Sequence, residues 1–564
     1  MDYQPRLEDI HQLLMGVLDA PAQLQTLPPY AEVDAALMQQ VLEEAGKFVA
    51  SEIAPLQRVG DEAGAQFEAG RVTMPPGFRA AYQAFWQGGW PALACAPEDG
   101  GQGLPAVLEA VLYEMLSAAN HGWTMAPGLL HGAYECLKHH GSDALKARYL
   151  EKIATGEWLA TMCLTEPQAG SDLGLVRTKA VPQTDGSYLV SGSKIFISGG
   201  EHDLSDNIVH LVLARLPDAA PGPKGLSLFL APKVLPDGSR NGVFCERIEE
   251  KMGLHGSPTC VMRFEDATGW LVGEPHRGLN AMFVMMNAAR LHVGLQGIGL
   301  LEAAWQKAQA YAQERRQMRA PGATQTSLIE DHPAIQRILT TQRAWIDGGR
   351  LLAYRTAIEL DMAKHHADAS RRDAAQRWCS LVTPVLKAAW TAQGFHGASA
   401  CLQVFGGHGY VREWGIEQIV RDARVTMIYE GTNEIQAIDL LLRKVLPDGG
   451  DALGALFDQL AAEAPLPLEV QQRFDALRRL AVRLAQAATY RADLAYWVAD
   501  DFLQALALAL LGWAGARITS KQAHWLAPAR ALQTWVLPAF AMHLQIIEQQ
   551  LADTETAAPA PAAA

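Results

Sequence analysis

Apolar residues in this chain change their spacing twice along its length, and that change constrains the fold more than any other feature. Up to about residue 157 they recur every three or four positions, as in LEDIHQLLMGVL (Leu7–Leu18) and DAALMQQVLEEAGKFVASEI (Asp34–Ile53), which is the spacing of a helix face. Pro28-Pro29 and the turn PEDGGQGLP (Pro97–Pro105) punctuate these helices. From 158 to 275 the pattern becomes short runs of Val, Leu and Phe: IVHLVLARL, GLSLFLAP and TCVMRF, with GSYLVSGSKIFIS following the hairpin-type dipeptide Asp185-Gly186. Helical spacing returns from 276 and runs to about 450. The glycines at 294, 297 and 299 lower helix propensity there, which close helix–helix packing would offset. After LPDGGDALG a further helical segment spans 451–552, read as Leu468–Ala499 and Phe502 to about Ala552. The Pro- and Ala-rich tail 553–564 is expected to be disordered. This order of elements predicts an α+β multidomain chain.

With 564 residues the chain is long enough for three or four cores. Half of it is apolar (49%), which excludes a disordered protein. Its 47 basic side chains against 61 acidic ones give a net charge of −14, which disfavours nucleic acid as a partner. Seven cysteines, an odd number and with no CxxC pair, fit a reducing cytoplasm better than a disulfide framework or a zinc site. The amino terminus lacks the pattern of a signal peptide. The most apolar stretch, Phe502–Ala516, is short of the ~20 residues a bilayer needs. It is therefore expected to be a buried helix, not a transmembrane segment, in a soluble, cytoplasmic protein.

Dinucleotide, Walker, HExxH and GxSxG signatures are all missing. His139-His140 reads as a solvated pair, and no metal site is expected. Glycine-rich GGHGY (Gly406–Tyr410) could admit a backbone close to a pyrophosphate but is weak evidence alone. Four segments together are more specific: LTEPQAGSD (Leu164–Asp172), KIFISGG (Lys194–Gly200), QVFGGHGY (Gln403–Tyr410) and IYEGTNEIQ (Ile428–Gln436). On these motifs the chain, from about 35 to 445, resembles the acyl-CoA dehydrogenase family. YQPRLEDI, KMGLHGSPTC and WLVGEPHRGLNAMFVMMN add agreement with the longer bacterial members, which carry an extra C-terminal helical domain.

The resemblance implies an N-terminal helical domain (1–157), a central β-barrel-like domain (158–275), a four-helix-bundle domain (276–450) and the additional helical domain (451–552). It also implies FAD and an acyl-CoA thioester, dehydrogenated between its α and β carbons as in fatty-acid β-oxidation. Such chemistry needs a base for a weakly acidic α-proton and a hydride acceptor, the flavin. Glu430 matches the family's catalytic glutamate, and Gly431 beside it leaves room for substrate. Cofactor contacts implied by the resemblance are Thr165, Ser171, Phe196 (where the family usually has tryptophan), Ser198, Gln403, Gly406, Gly407, Thr432 and Glu434. Arg315 matches an arginine that reaches the FAD phosphate from a neighbouring subunit. Substrate contacts implied are Ser171, Gly431, Arg290 and Asn287, the last replacing an aspartate of shorter members. His255 departs from the family's usual Arg or Lys and puts that loop's phosphate contact in doubt. The Met282, Met285 and Met286 cluster reads as packed core before acyl tunnel. Electron-transfer flavoprotein is the implied electron acceptor and a homodimer, or a tetramer, the implied assembly. An oxidase using O2, or a DNA-associated flavoprotein of the same fold, are the rival readings; the extra domain could serve as an interaction module.

Overall fold

The structure, a computed structural model, describes residues 2–557; the side chains at 287 and at 554–557 lie outside that description. The described chain packs as two compact units, one formed by 6–40 with 293–557, the other by 2–5 with 41–292.

The 41–292 unit holds a run of helices followed by one seven-stranded mixed sheet. The helix Ala106–Thr124 is buried on nearly every face, its polar residues Glu109, Glu114, Ser117, Asn120, His121 and Thr124 included. A small hairpin interrupts the helices, β1 (Gln66–Glu68) with β2 (Arg71–Thr73). It escapes a helical reading because its two-residue turn, Ala69-Gly70, needs positive φ at both positions (48° and 80°).

The larger sheet comprises β3 (Leu159–Cys163), β4 (Lys179–Pro182), β5 (Tyr188–Ser198), β6 (Ile208–Arg215), β7 (Leu226–Pro232), β8 (Val243–Ile248) and β9 (Thr259–Val272). Asp185-Gly186 makes the β4–β5 turn as the sequence predicts: Gly186 has φ 85°, and the Asp185 carboxylate accepts from Ser187 N and Oγ at 2.9 and 2.7 Å. Pairings run from β4 to β5, β5 to β9, β9 to β7 and β7 to β6, all antiparallel. Lys179 of β4 then pairs with Arg215 of β6. β3 lies parallel to β6, and β8 pairs with β9. Strands β6 and β7 are buried almost end to end, which is why they read as continuous apolar runs without alternation.

The other unit is helical. Pro333–His365, Ala369–Val385, Thr391–Val404, Ile416–Arg424 and Asn433–Leu440 follow the second half of the helix Gly278–Glu314. Glycines on that long helix do permit close packing: a Cβ at Gly297 would stand 2.4 Å from the Trp390 carbonyl oxygen, and one at Gly294 3.3 Å from the Leu386 carbonyl carbon. Residues 6–40 belong to this unit, with Tyr30 donating to Asp361 and Arg343 to Asp9.

The C-terminal extension consists of Asp451–Glu463, Leu468–Ala488, Leu494–Lys521 and Ala539–Ala557, with shorter turns before the last. The expected break near residue 500 falls instead between 488 and 494. Asp500 and Asp501, which fall in the expected break, lie mid-helix; Gln504 donates to Asp500 one turn on (3.3 Å), and His543 pairs with Asp501 (2.8 Å). Leu494–Lys521 is long and apolar enough to cross a membrane by length and composition, but most of it is buried among the other helices. The expected tail begins inside the last helix, and 558–564 lie outside the described residues. All seven cysteines are buried and unpaired by disulfides.

Candidate active site

Two groups of motif residues take shape, one in each unit. In the sheet-bearing unit, Ile195 N donates to the Thr165 carbonyl (2.9 Å), tying LTEPQAGSD to the strand that carries KIFISGG. Next along the strand, Phe196 sits where the β5–β9 register slips. Its φ is +60° and its side chain is 60% exposed. A bulky residue in left-handed backbone is strained, and such strain persists only where the surroundings impose it. The bulge thus turns a large aromatic face outward, with half-buried Thr165 and Ser198 at neighbouring positions. Ser171 is exposed on the same loop as Thr165.

Sequence reasoning missed what holds that loop. Glu166 and Lys194 are both buried and form an ion pair at 2.8 Å. The Glu166 carboxylate also accepts from Thr178 N and Oγ1, Arg177 N and Gln168 Nε2, at 2.6 to 3.0 Å. Lys194 donates to the Leu164 carbonyl (3.0 Å). Burial raises the carboxyl pKa, but Lys194 and these donors outweigh it and hold the group at about 2; burial pushes the Lys194 ammonium down, opposed by Glu166. The signal was visible as two charges inside the long motifs, at Glu166 and Lys194, but their pairing across 28 residues is tertiary.

Other positions of this unit resolve plainly. His255 is held by Asp61 (2.8 Å) and the Lys251 carbonyl (3.0 Å). Met282 and Met285 are buried core and Met286 is half-buried. Arg290 is buried, 9% exposed, and the Asn287 side chain lies outside the described residues. His139 pairs with Glu135 one turn away (3.0 Å).

In the helical unit the catalytic candidate stands on a constrained loop. Glu430 has φ +55° and Gly431 φ +88°; the glycine relieves the second position of a strain the first retains. A Cβ on Gly431 would lie 2.8 Å from Gln436 Nε2, the same amide that donates to the Glu430 carbonyl (3.1 Å). Past Pro384 the helix widens into a π turn, Leu386–Trp390, and from it the buried Lys387 donates to the Gly431 carbonyl (2.7 Å) and Asn433 Oδ1 (3.0 Å). Tyr429, before the glutamate, donates to Gln296 at 2.5 Å. Burial, with the Glu430 and Asp422 carboxylates nearby, raises its phenol pKa. Thr432 Oγ1 caps the next helix by accepting from Ile435 N (3.4 Å), so part of its role is structural; Glu434 is exposed in that helix's first turn.

The remaining cofactor candidates of this unit are exposed. Gly406 has φ +58°, and a Cβ at Gly406 or Gly407 would meet nothing within 4 Å, leaving their backbone open to a ligand. Behind them His408 stacks on Trp414 (4.6 Å, 9°) and bonds Tyr311 (2.9 Å), fixing the turn. Gln403 and Arg315 are exposed, and the Arg315 guanidinium makes no ion pair among the described residues. Among the described residues no cluster could hold a metal.

The chain belongs to the acyl-CoA dehydrogenase family, whose members are FAD-dependent oxidoreductases: the N-terminal, middle and C-terminal domains of that family match residues 37–157, 161–267 and 276–445. It is similar to 3-methylmercaptopropionyl-CoA dehydrogenase of Ruegeria pomeroyi, 44% identical over 507 residues, covering 88% of this chain and 85% of that one. In fold it matches Caenorhabditis elegans ACDH-11 in complex with C11-CoA (TM-score 0.77, 21% identity, 100% and 97% covered). It likewise matches an acyl-CoA dehydrogenase of Bacillus anthracis complexed with FAD (TM-score 0.75, 22% identity, 96% and 90% covered). The extension after 450 is therefore part of a shared architecture.

Proposed function

We propose that this enzyme dehydrogenates an acyl-CoA thioester to the trans-2-enoyl-CoA, with Glu430 as the base that takes the α-proton. The observation that carries this reading is the Glu430 backbone, held left-handed (φ +55°) on a loop where its own carbonyl accepts from Gln436 and the next, that of Gly431, from Lys387. Strain kept at one acidic residue and absorbed by a following glycine fits a side chain that must hold one direction. Pinning the loop also fixes the Glu430 N–H, which we assign as a donor to the thioester oxygen, where charge grows as the α-proton leaves.

FAD, when bound, supplies the hydride acceptor. The residues fit it: Phe196 offers an outward aromatic face, Thr165 and Ser198 hydroxyl donors beside it, and Gly406-Gly407 an open backbone for phosphates. Gln403 and the free Arg315 add donors, and we assign Arg315 to the flavin of a second copy in a homodimer. The circuit of strand pairings through β4, β5, β9, β7 and β6 is read as a small barrel that stiffens this cradle. Electron-transfer flavoprotein is the proposed electron acceptor.

Glu430→Gln should keep its yellow flavin and still bind acyl-CoA, but lose substrate-dependent bleaching under argon by ~10³-fold or more. Unchanged bleaching would move the base elsewhere. Peroxide release at the turnover rate in air would replace the flavoprotein acceptor with O2. The relative from Ruegeria makes 3-methylmercaptopropionyl-CoA the first ester to try.

A further inference from the structure

The helix Ala369–Val385 loses its regularity where it meets the catalytic loop, and the irregularity aims one buried cation. Pro384 has no N–H to give to the Ser380 carbonyl four residues back; Lys444 Nζ meets that oxygen at 2.8 Å. The π turn Leu386–Trp390 follows at once, and single π turns inside helices are frequent at functional sites. Two carbonyls of the turn take side-chain donors: that of Lys387 accepts from Thr391 Oγ1 (2.6 Å), and that of Ala388 from Asn433 Nδ2 (3.0 Å). Asn433 Oδ1 in return accepts from Lys387 Nζ (3.0 Å) and Thr391 Oγ1 (3.2 Å).

Lys387, Thr391 and Asn433 are all buried. Because Lys387 also donates to the Gly431 carbonyl at 2.7 Å, one ammonium bridges the residue after Glu430 and the first residue of the helix Asn433–Leu440. The start of a helix is its positive end and disfavours a cation. Taking an ammonium out of water is costly as well. A placement that stability disfavours twice marks a position kept for function.

We infer that Lys387 is a positioning residue of the dehydrogenation, with Asn433 orienting its ammonium. Holding the Gly431 carbonyl stops the Glu430–Gly431 pair from rotating, and so keeps the Glu430 carboxylate at the distance and angle that proton transfer from the α-carbon needs. The inference rests on Glu430 as the base, since Lys387 acts only through it.

The test mixes full-length, flavin-loaded protein with excess acyl-CoA under argon. It reads the first-order rate constant of bleaching, which does not depend on how much of the sample is active. Lys387→Met keeps the chain length and removes donors and charge; its rate constant should fall about 10²-fold. The acyl-CoA Kd, read from the concentration dependence of the rate, should stay within about twofold, because ground-state binding is untouched. With α-deuterated substrate the isotope effect should rise, as proton removal slows relative to the other steps. Asn433→Ala, a smaller change at the same bonds, should lose about tenfold and serves if Lys387→Met does not fold. Glu430→Gln combined with Lys387→Met should bleach no more slowly than Glu430→Gln alone, since nothing is left to position. Parent rate constants and isotope effects in Lys387→Met and Asn433→Ala, or a further loss in the double variant, overturn the inference and leave the base in place. Parent-like bleaching by Glu430→Gln alone would remove the base reading, and this inference with it.

Discussion

At the scale of single residues, two backbone positions and one buried pair carry most of the argument. Gly431→Ala places a methyl 2.8 Å from Gln436 Nε2 in left-handed backbone, which costs roughly 1–2 kcal/mol and shifts the loop. Turnover should fall at least about tenfold with an unchanged circular dichroism spectrum. Glu166 gives a pH signature. Its folded carboxyl, at about 2, lies below the unfolded value of about 4.3. The stability it contributes is complete above about pH 4.5 and is lost as pH falls towards 2. A plot of thermal midpoint against pH should drop across that window in the parent and flatten in Glu166→Gln. The variant should also be weaker at pH 7 by roughly 3 kcal/mol, because Lys194 keeps its burial and loses its partner. Glu430 and Phe196 were legible as motif residues, but the positive φ of each was not: local sequence gives no reason for a Glu or Phe to be left-handed, and neighbouring strands and side chains impose it.

Among elements, the long helices and the buried strands followed from spacing, because burying a face against a neighbour is what sets the spacing. Glycine on the helix Gly278–Glu314 follows the same logic. Gly297 faces the Trp390 carbonyl, and Trp390 in turn fills the space over Gly349, its Nε1 donating to Trp345 O at 3.0 Å. A backbone oxygen cannot swing aside as a side chain can. Gly297→Val should therefore destabilise by about 1–3 kcal/mol through overpacking, seen as a lower thermal midpoint, whereas Gly407→Ala, with nothing within 4 Å, should leave that midpoint unchanged. What spacing did not give was the β1–β2 hairpin, where strands of three residues are too short for a pattern, and the helix break after 488, which the sequence spacing places near residue 500.

For the whole molecule, the C-terminal extension joins the helical unit through charge as well as apolar burial. Glu463 of the extension meets Arg355 in a two-pronged ion pair beneath Trp378 and Trp513. Removing that carboxylate with Glu463→Gln leaves a buried guanidinium under-compensated, and a loss of about 2 kcal/mol or more is expected in urea unfolding, with substrate bleaching retained. The amino-terminal residues 6–40 pack in this same unit although the sequence placed them with the helices before 157; which surface an amphipathic segment covers depends on a partner hundreds of residues away. Sequence alone determined the classes of element, the motifs and the family, because hydrophobic spacing and short polar motifs are local properties of a chain. Tertiary structure alone decided which charges pair in the dark, where the backbone is bent against its preference and which carbonyl a buried ammonium holds, because each of those is settled by groups that meet only after folding.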